Sequence, residues 1–281
     1  MSTTTAQNRD SASASTPTGS PPSMRDLVKR LAVPSVGAGL VGGALLIGVM
    51  TLVMGAAGMG YATPVSLGMP AFVYTVAPPA SMLPTLMSAM GVSLPASAMA
   101  QIGPMLKSGH YLTPAMAKQM MPMLTAMHIP AQKIQMVAAV MTGHADNATV
   151  ANLMAGMPSS ARNQVMAAMP VSGSHVVVGL ILHFAFSAFL GVAFFAVIAA
   201  AARMGVPGLR SRPGMMAAGV IGGAIVYVLN RWVFLPPANP MMRLVPQIAF
   251  FLSHLLFGLI VGSAAAVALG RVMGRQEPAR V

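Results

Sequence analysis

The sequence predicts an all-α protein: a four-transmembrane-helix bundle built from a duplicated two-helix unit, with a helical extracytoplasmic insertion. Three observations predict it. The 281 residues are 56% hydrophobic and only 7% charged, with a mean hydropathy of +0.73. A soluble domain carries about 25% charged residues, so bilayer is the expected solvent. Four apolar stretches reach the length of about 20 residues that a hydrocarbon core of about 30 Å demands. Two pairs of these stretches also resemble each other, in the same order along the chain.

Residues 1–23 are rich in Ser, Thr, Ala and Pro with no apolar period. They bury too little surface to offset the entropy of ordering, which predicts a disordered tail. Met24 stands as an alternative start. Residues 24–59 supply a basic flank, MRDLVKR, and the first span, from about Pro34 to Gly58. A signal peptide is the rival reading, but the run exceeds the usual apolar region of about 7–15 residues. Residues 60–174 form the insertion. Residues 175–270 hold the other spans, at about His175–Ala202, Gly214–Leu235 and Pro246–Gly270. Arg203, Pro236-Pro237 and Arg271 close them, and residues 271–281 are a basic tail.

Basic residues set the orientation. Arg25, Lys29 and Arg30 precede the first span, Arg203, Arg210 and Arg212 join the second to the third, and Arg271, Arg275 and Arg280 follow the fourth. Arg243 stands alone between the third and fourth, with Arg231 near the end of the third. The positive-inside rule then places both termini in the cytoplasm of a multi-pass protein, with Trp232 at the outer interface.

The duplication rests on two matches. Residues 38–46, AGLVGGALL, match 218–226, AGVIGGAIV, at five of nine positions. Residues 183–191, HFAFSAFLG, and 254–262, HLLFGLIVG, share the pattern H-x-x-F-small-x-x-x-Gly. A repeat of two spans keeps its orientation, so the copies would be related by an axis along the membrane normal. The first pair lies 180 residues apart and the second 71, and the excess is the insertion. Every span also carries small residues four apart: Gly39/Gly43, Ser187/Gly191, Gly219/Gly223 and Gly258/Gly262. Such pairs let helix backbones approach closely in lipid, where the hydrophobic effect does not drive association.

His183 and His254 share a helical face with those small residues, which predicts that both rings point into the bundle. Each lies eight residues inside its expected span, so the two are expected at one depth, forming an intramembrane pair. Asn230 and Thr51, taken as its counterpart, fall in the same half. Three chemistries are open to the pair. Hydrogen bonds between membrane helices average about 0.6 kcal/mol and are the leading reading. Two imidazoles would also suffice for a six-coordinate haem. A proton or solute pathway is disfavoured because no span contains Asp or Glu.

Eighteen of the 28 methionines lie between Met59 and Met169. Pro84, Pro95, Pro114, Pro130 and Pro158 each open a short apolar-periodic segment, as suits a first helical position. Gly91, Gly109, Gly143 and Gly156 are the expected stops. This predicts five or six short amphipathic helices, with a weak repeat, QIGPML at 101–106 and QMMPML at 119–124. Met120, Met123 and Met127 with His128 offer soft ligands suited to Cu(I), with His110 and His144 nearby. The spacing of Met116, Met120, Met123 and Met127 equally makes a packing stripe, the leading reading.

The chain has no cysteine, which excludes disulfides and thiolate clusters. Its formal charge of +12 comes from sixteen basic residues spread in small groups beside apolar runs. Nucleic-acid binding would need them gathered on one face, so none is expected. The sequence contains no nucleotide-binding, zinc-protease or serine-nucleophile motif. With four acidic residues, Asp10, Asp26, Asp146 and Glu277, paired-carboxylate chemistry lacks parts. No enzymatic activity and no cofactor are expected.

H-F-x-F-S-x-x-x-G at 183–191, R-P-G-M-M-x-A-G-V at 212–220 and H-L-L-F-G-L-I-V-G at 254–262 resemble small uncharacterised bacterial four-helix membrane proteins. Those have Gly-rich first spans and histidine–aromatic–glycine motifs in the second and fourth. The resemblance implies an architecture and a bacterial cytoplasmic membrane, and no activity; the Met-rich insertion departs from it. The expectation is a non-enzymatic scaffold or interaction protein whose partners are the bilayer and a second copy or another membrane protein. A haem or copper carrier and a small-solute transporter are the alternatives.

Overall fold

The structure is a computed structural model that describes residues 24–61, 64, 78–107, 112–169, 173–209, 211–235 and 240–273. The expected tail at 1–23, His110 and residues 274–281 lie outside the described residues. Among the described residues the chain is all-helical. The α-helices are α1 (Met24–Ala56), α2 (Leu83–Ala89), α3 (Ala96–Lys107), α4 (Pro114–Ala126), α5 (Ala131–Met141), α6 (Asn147–Ala155), α7 (Ser159–Ala168), α8 (Gly173–Arg203), α9 (Arg212–Val228) and α10 (Gln247–Met273). A π-helical turn, Leu229–Phe234, extends α9.

Four helical segments are long and apolar enough to cross a membrane: Lys29–Ala56, Gly173–Arg203, Arg212–Phe234 and Gln247–Arg271. They fall within a few residues of the four apolar stretches, and they make this a multi-pass membrane protein. α10 is the centre of the bundle. Half of its most apolar window is buried, against 28–33% for the other three, because α9 and α1 both pack along it. α8 packs along α1 and touches α9 only lightly.

Small residues set these contacts. A Cβ on Gly39 would meet the Ser187 carbonyl, and one on Gly191 would meet the Ser35 carbonyl and Gly39. In the other pair, a Cβ on Gly219 would meet the Gly258 carbonyl and Gly262, and one on Gly223 the His254 carbonyl. The predicted small faces therefore meet as α1 with α8 and as α9 with α10. Beside them an apolar core that includes Leu31, Ala38, Phe195, Ile198, Met215, Phe257, Val261 and Leu269 fills the bundle.

Between α1 and α8 the described residues fold into six short α-helices, and the punctuation is that of the sequence. Pro84 and Pro114 sit in first turns, while Pro95, Pro130 and Pro158 immediately precede α3, α5 and α7. Thr113 Oγ1 accepts from Met116 N–H at 3.2 Å to cap α4, and Asp146 Oδ1 accepts from Thr149 N–H at 2.6 Å to cap α6. That backbone N–H, and then the Thr149 hydroxyl, holds the Asp146 carboxyl below its ordinary range. Gly91 and Gly143 take left-handed backbone, φ 76° and 73°, where a side chain would be strained. After α4 the same conformation falls to His128, φ 59°, a stop that no glycine announces. The weak repeat is structural: Ile102 and Leu106 of α3, and Met120 and Leu124 of α4, point into one core. Gln101, Pro104, Gln119 and Pro122 are exposed.

This unit does not stand apart from the bundle. One continuous core joins Leu83, Leu86, Met87, Val150, Met154 and Val165 to Met50, Met54, Met59, Tyr227, Met241, Leu244 and Phe250. α6 packs on the 3-10 turn Pro240–Leu244. Asn163 Nδ2 donates to the Ala57 carbonyl at 2.7 Å, tying α7 to the end of α1.

Candidate functional site: two histidines between helix pairs

α8 and α10 each carry a histidine on their glycine-containing face, and each ring reaches across to the helix paired with its own. His183 is half-buried. Its Nε2 lies 3.0 Å from the Gly43 carbonyl of α1. A carbonyl only accepts, so Nε2 carries the proton and donates. Ser187 Oγ, one turn along α8, stands 3.4 Å from the same nitrogen. Gly43 permits this approach: a Cβ there would lie 3.2 Å from Nε2 and closer still to Ser187.

His254 is 4% exposed. Its Nδ1 lies 2.7 Å from the Phe250 carbonyl, so Nδ1 is the donor and Nε2 is left as an acceptor. Asn230 Nδ2 fills that role, donating across from the π-helical turn at 3.1 Å. Asn230 is itself buried. The Phe250 carbonyl accepts a second bond from Ser253 Oγ at 2.8 Å. Aromatic rings surround His254: Phe250 edge-on with centroids 4.3 Å apart, and Tyr227 at 5.9 Å. Tyr227 in turn contacts Phe251 and Trp232, at 5.0 and 5.7 Å. The result is a neutral imidazole with both nitrogens engaged in an apolar shell.

Each of the two histidines expected from sequence to form a pair makes its hydrogen bonds within its own helix contact. Among the described residues no hydrogen bond joins the rings; His183 belongs to the α1–α8 contact and His254 to the α9–α10 contact. Along their helices, His183 lies ten residues after Gly173 and His254 seven after Gln247. Asn230 is legible in the sequence as a polar residue of the third span. Its counterpart by the 180-residue offset is the buried Met50, not Thr51, so His183 has no equivalent amide and turns to a backbone carbonyl. The Tyr227–Phe250–Phe251 shell is not legible from the residues alone, because it requires α9 and α10 to be adjacent.

The methionine set is placed differently again. Met120 is buried, and Met116, Met123 and Met127 pack against the same core, while His128 is exposed. His144 is exposed and its Nδ1 lies 3.0 Å from Thr142 Oγ1. Thioethers buried among leucines and valines act as adaptable filler. Among the described residues no three of His, Cys, Asp and Glu gather at one point.

Replacing His254 by leucine should leave the Asn230 amide buried without its acceptor. The expected loss is about 0.6–1.7 kcal/mol, the measured average and upper bound for side-chain bonds between membrane helices. Asn230→Leu should cost a similar amount, and the double variant no more than the larger single change. Additive losses in a double-mutant cycle of thermal stability in detergent would mean that the two side chains do not interact.

No protein-family model, no curated protein and no solved structure matches this chain.

Proposed function

We propose that this chain is a non-enzymatic scaffold or interaction protein of the bacterial cytoplasmic membrane, with its six-helix unit outside and both termini in the cytoplasm. The observation that carries the reading is the closure of the intramembrane polar groups on one another. His254 engages both nitrogens with Phe250 and Asn230, and His183 commits Nε2–H to Gly43. A haem ligand must offer a free nitrogen lone pair: His254 has both nitrogens engaged, and the Nε2 of His183 is committed as a donor. Their role is to fix the register of α8 on α1 and of α9 on α10. Purified protein should therefore show no Soret band and no stoichiometric copper. A Soret band lost on His183→Leu or His254→Leu would overturn the reading in favour of a haem carrier.

The duplicated two-helix unit belongs to the same proposal. Gly39 meets Ser187 and Gly191 as Gly219 meets Gly258 and Gly262, at positions that the two sequence offsets relate. Orientation is proposed on the nine basic residues flanking the inner ends and on the resemblance to bacterial four-helix proteins. Reporter fusions after Ser108 and after Ser211 should report opposite sides, Ser108 outside. The same side for both would defeat the four-span topology.

A further inference from the structure

Where α9 ends, a shallow, narrow cleft opens between the π-helical turn and the start of α10, lined by Arg231, Leu235, Met242, Arg243 and Phe250. Two guanidinium groups thus stand over three apolar side chains at one end of the spanning bundle. Arg231 is held in place, with Nη1 donating to the Met242 carbonyl at 3.1 Å and its guanidinium 5.9 Å from the Trp232 ring. Arg243 is exposed. Among the described residues no carboxylate pairs with either arginine. Asp146, the one acidic residue whose side chain is described, is engaged in capping α6. Trp232 is 60% exposed, as suits an indole at the membrane interface.

We infer that this cleft is a binding site for an anionic phospholipid, with the phosphodiester on Arg231 and Arg243 and an acyl chain along the half-buried Leu235 and Met242. Arginine's fork of donors matches a phosphate in two-point fashion, and four of the five donors of Arg231 remain after its bond to Met242. The apolar floor supplies what a soluble phosphate cannot use. Basic clefts between membrane helices hold acidic headgroups for the same reason, and each cation near such a surface strengthens binding about fivefold. The inference rests on the membrane-spanning reading of α9 and α10, and on nothing about the histidines.

Trp232 is the only tryptophan, so quenching of its fluorescence by bromine on acyl chains reports lipid at this position alone. The full chain would be reconstituted in nanodiscs with brominated phosphatidylglycerol or brominated phosphatidylcholine at equal mole fraction. The expected result is a five- to tenfold preference for the anionic lipid in the native protein. It should fall to about twofold or less in Arg243→Gln, whose exposed side chain can change without harm to folding, and to none in Arg231→Gln/Arg243→Gln. Arg243→Lys should keep most of the preference. Equal quenching by both lipids in the native protein, or an undiminished preference in Arg243→Gln, would overturn the site. Relief of quenching by millimolar inorganic phosphate would make it a phosphate site and overturn the lipid assignment. Failure of both lipids to quench would remove Trp232 from the bilayer, and the membrane placement of this helix end with it.

Discussion

Gly219→Val should take α9 and α10 apart. A Cβ at Gly219 falls on the Gly258 carbonyl and on the Gly262 backbone, and backbone cannot rotate aside as a flexible side chain would. Overpacking of a close-packed contact typically costs about 1–3 kcal/mol. Here relief requires moving a whole helix, so the loss is expected at or above the top of that range. α10 also supports α1, so separation should spread to the remaining bundle. Gly37→Ala and Gly48→Ala are the controls, since nothing lies within 4 Å of a Cβ at either. They should leave thermal stability in detergent unchanged or slightly raised by alanine's better helix propensity. A Gly219→Val protein that melts like the native one would mean that α9 and α10 do not cross at these glycines.

Removing residues 61–173 and joining Gly60 to Ser174 through a flexible linker should produce a protein that inserts but is strongly destabilised. From sequence the segment looks removable, because loops are inexpensive to shorten when their ends can be rejoined. The shared core changes the expectation. Met59, Met241 and Leu244 are each at most 6% exposed, and they are covered by residues of the six-helix unit. Uncovering a side chain of this size to water loses about 1.5–3 kcal/mol, so these three alone approach the stability of an ordinary domain. The shortened protein should melt far below the native one and be cut by protease between α9 and α10. A native-like melting temperature would show that the bundle and the six-helix unit are energetically independent.

How much of this was legible in the sequence follows from what kind of information each feature needs. Composition and run length suffice for the four long helices, since bilayer thickness turns length into topology. Proline at helix starts and glycine at stops are local signals, and they mark α2, α3, α4, α5 and α7 within a residue or two. The stop after α4 went unread because His128 takes a conformation usually left to glycine. Small residues four apart announce a close contact without naming the partner, so the central position of α10 could not be read. Gly42 faces Phe257 of α10, and Gly222 faces Phe194 of α8. Neither contact follows from a helical period. The shared histidine motif says what each helix face carries and nothing about the lateral distance between its two copies.

The central position of α10 also bears on the birth of the molecule. Chains emerge from the ribosome N-terminus first, so α1 and α8 can find each other early through Gly39 and Ser187. α9 has no such luck. Its close partner is the last of the four spanning helices to be made, and its glycine face must wait in lipid with no backbone against it. The His254–Asn230 bond can likewise form only when that final helix arrives. A ribosome stalled anywhere before Gln247 would hold a paired α1 and α8 beside an orphan, and α9 is the segment that membrane quality control would meet first.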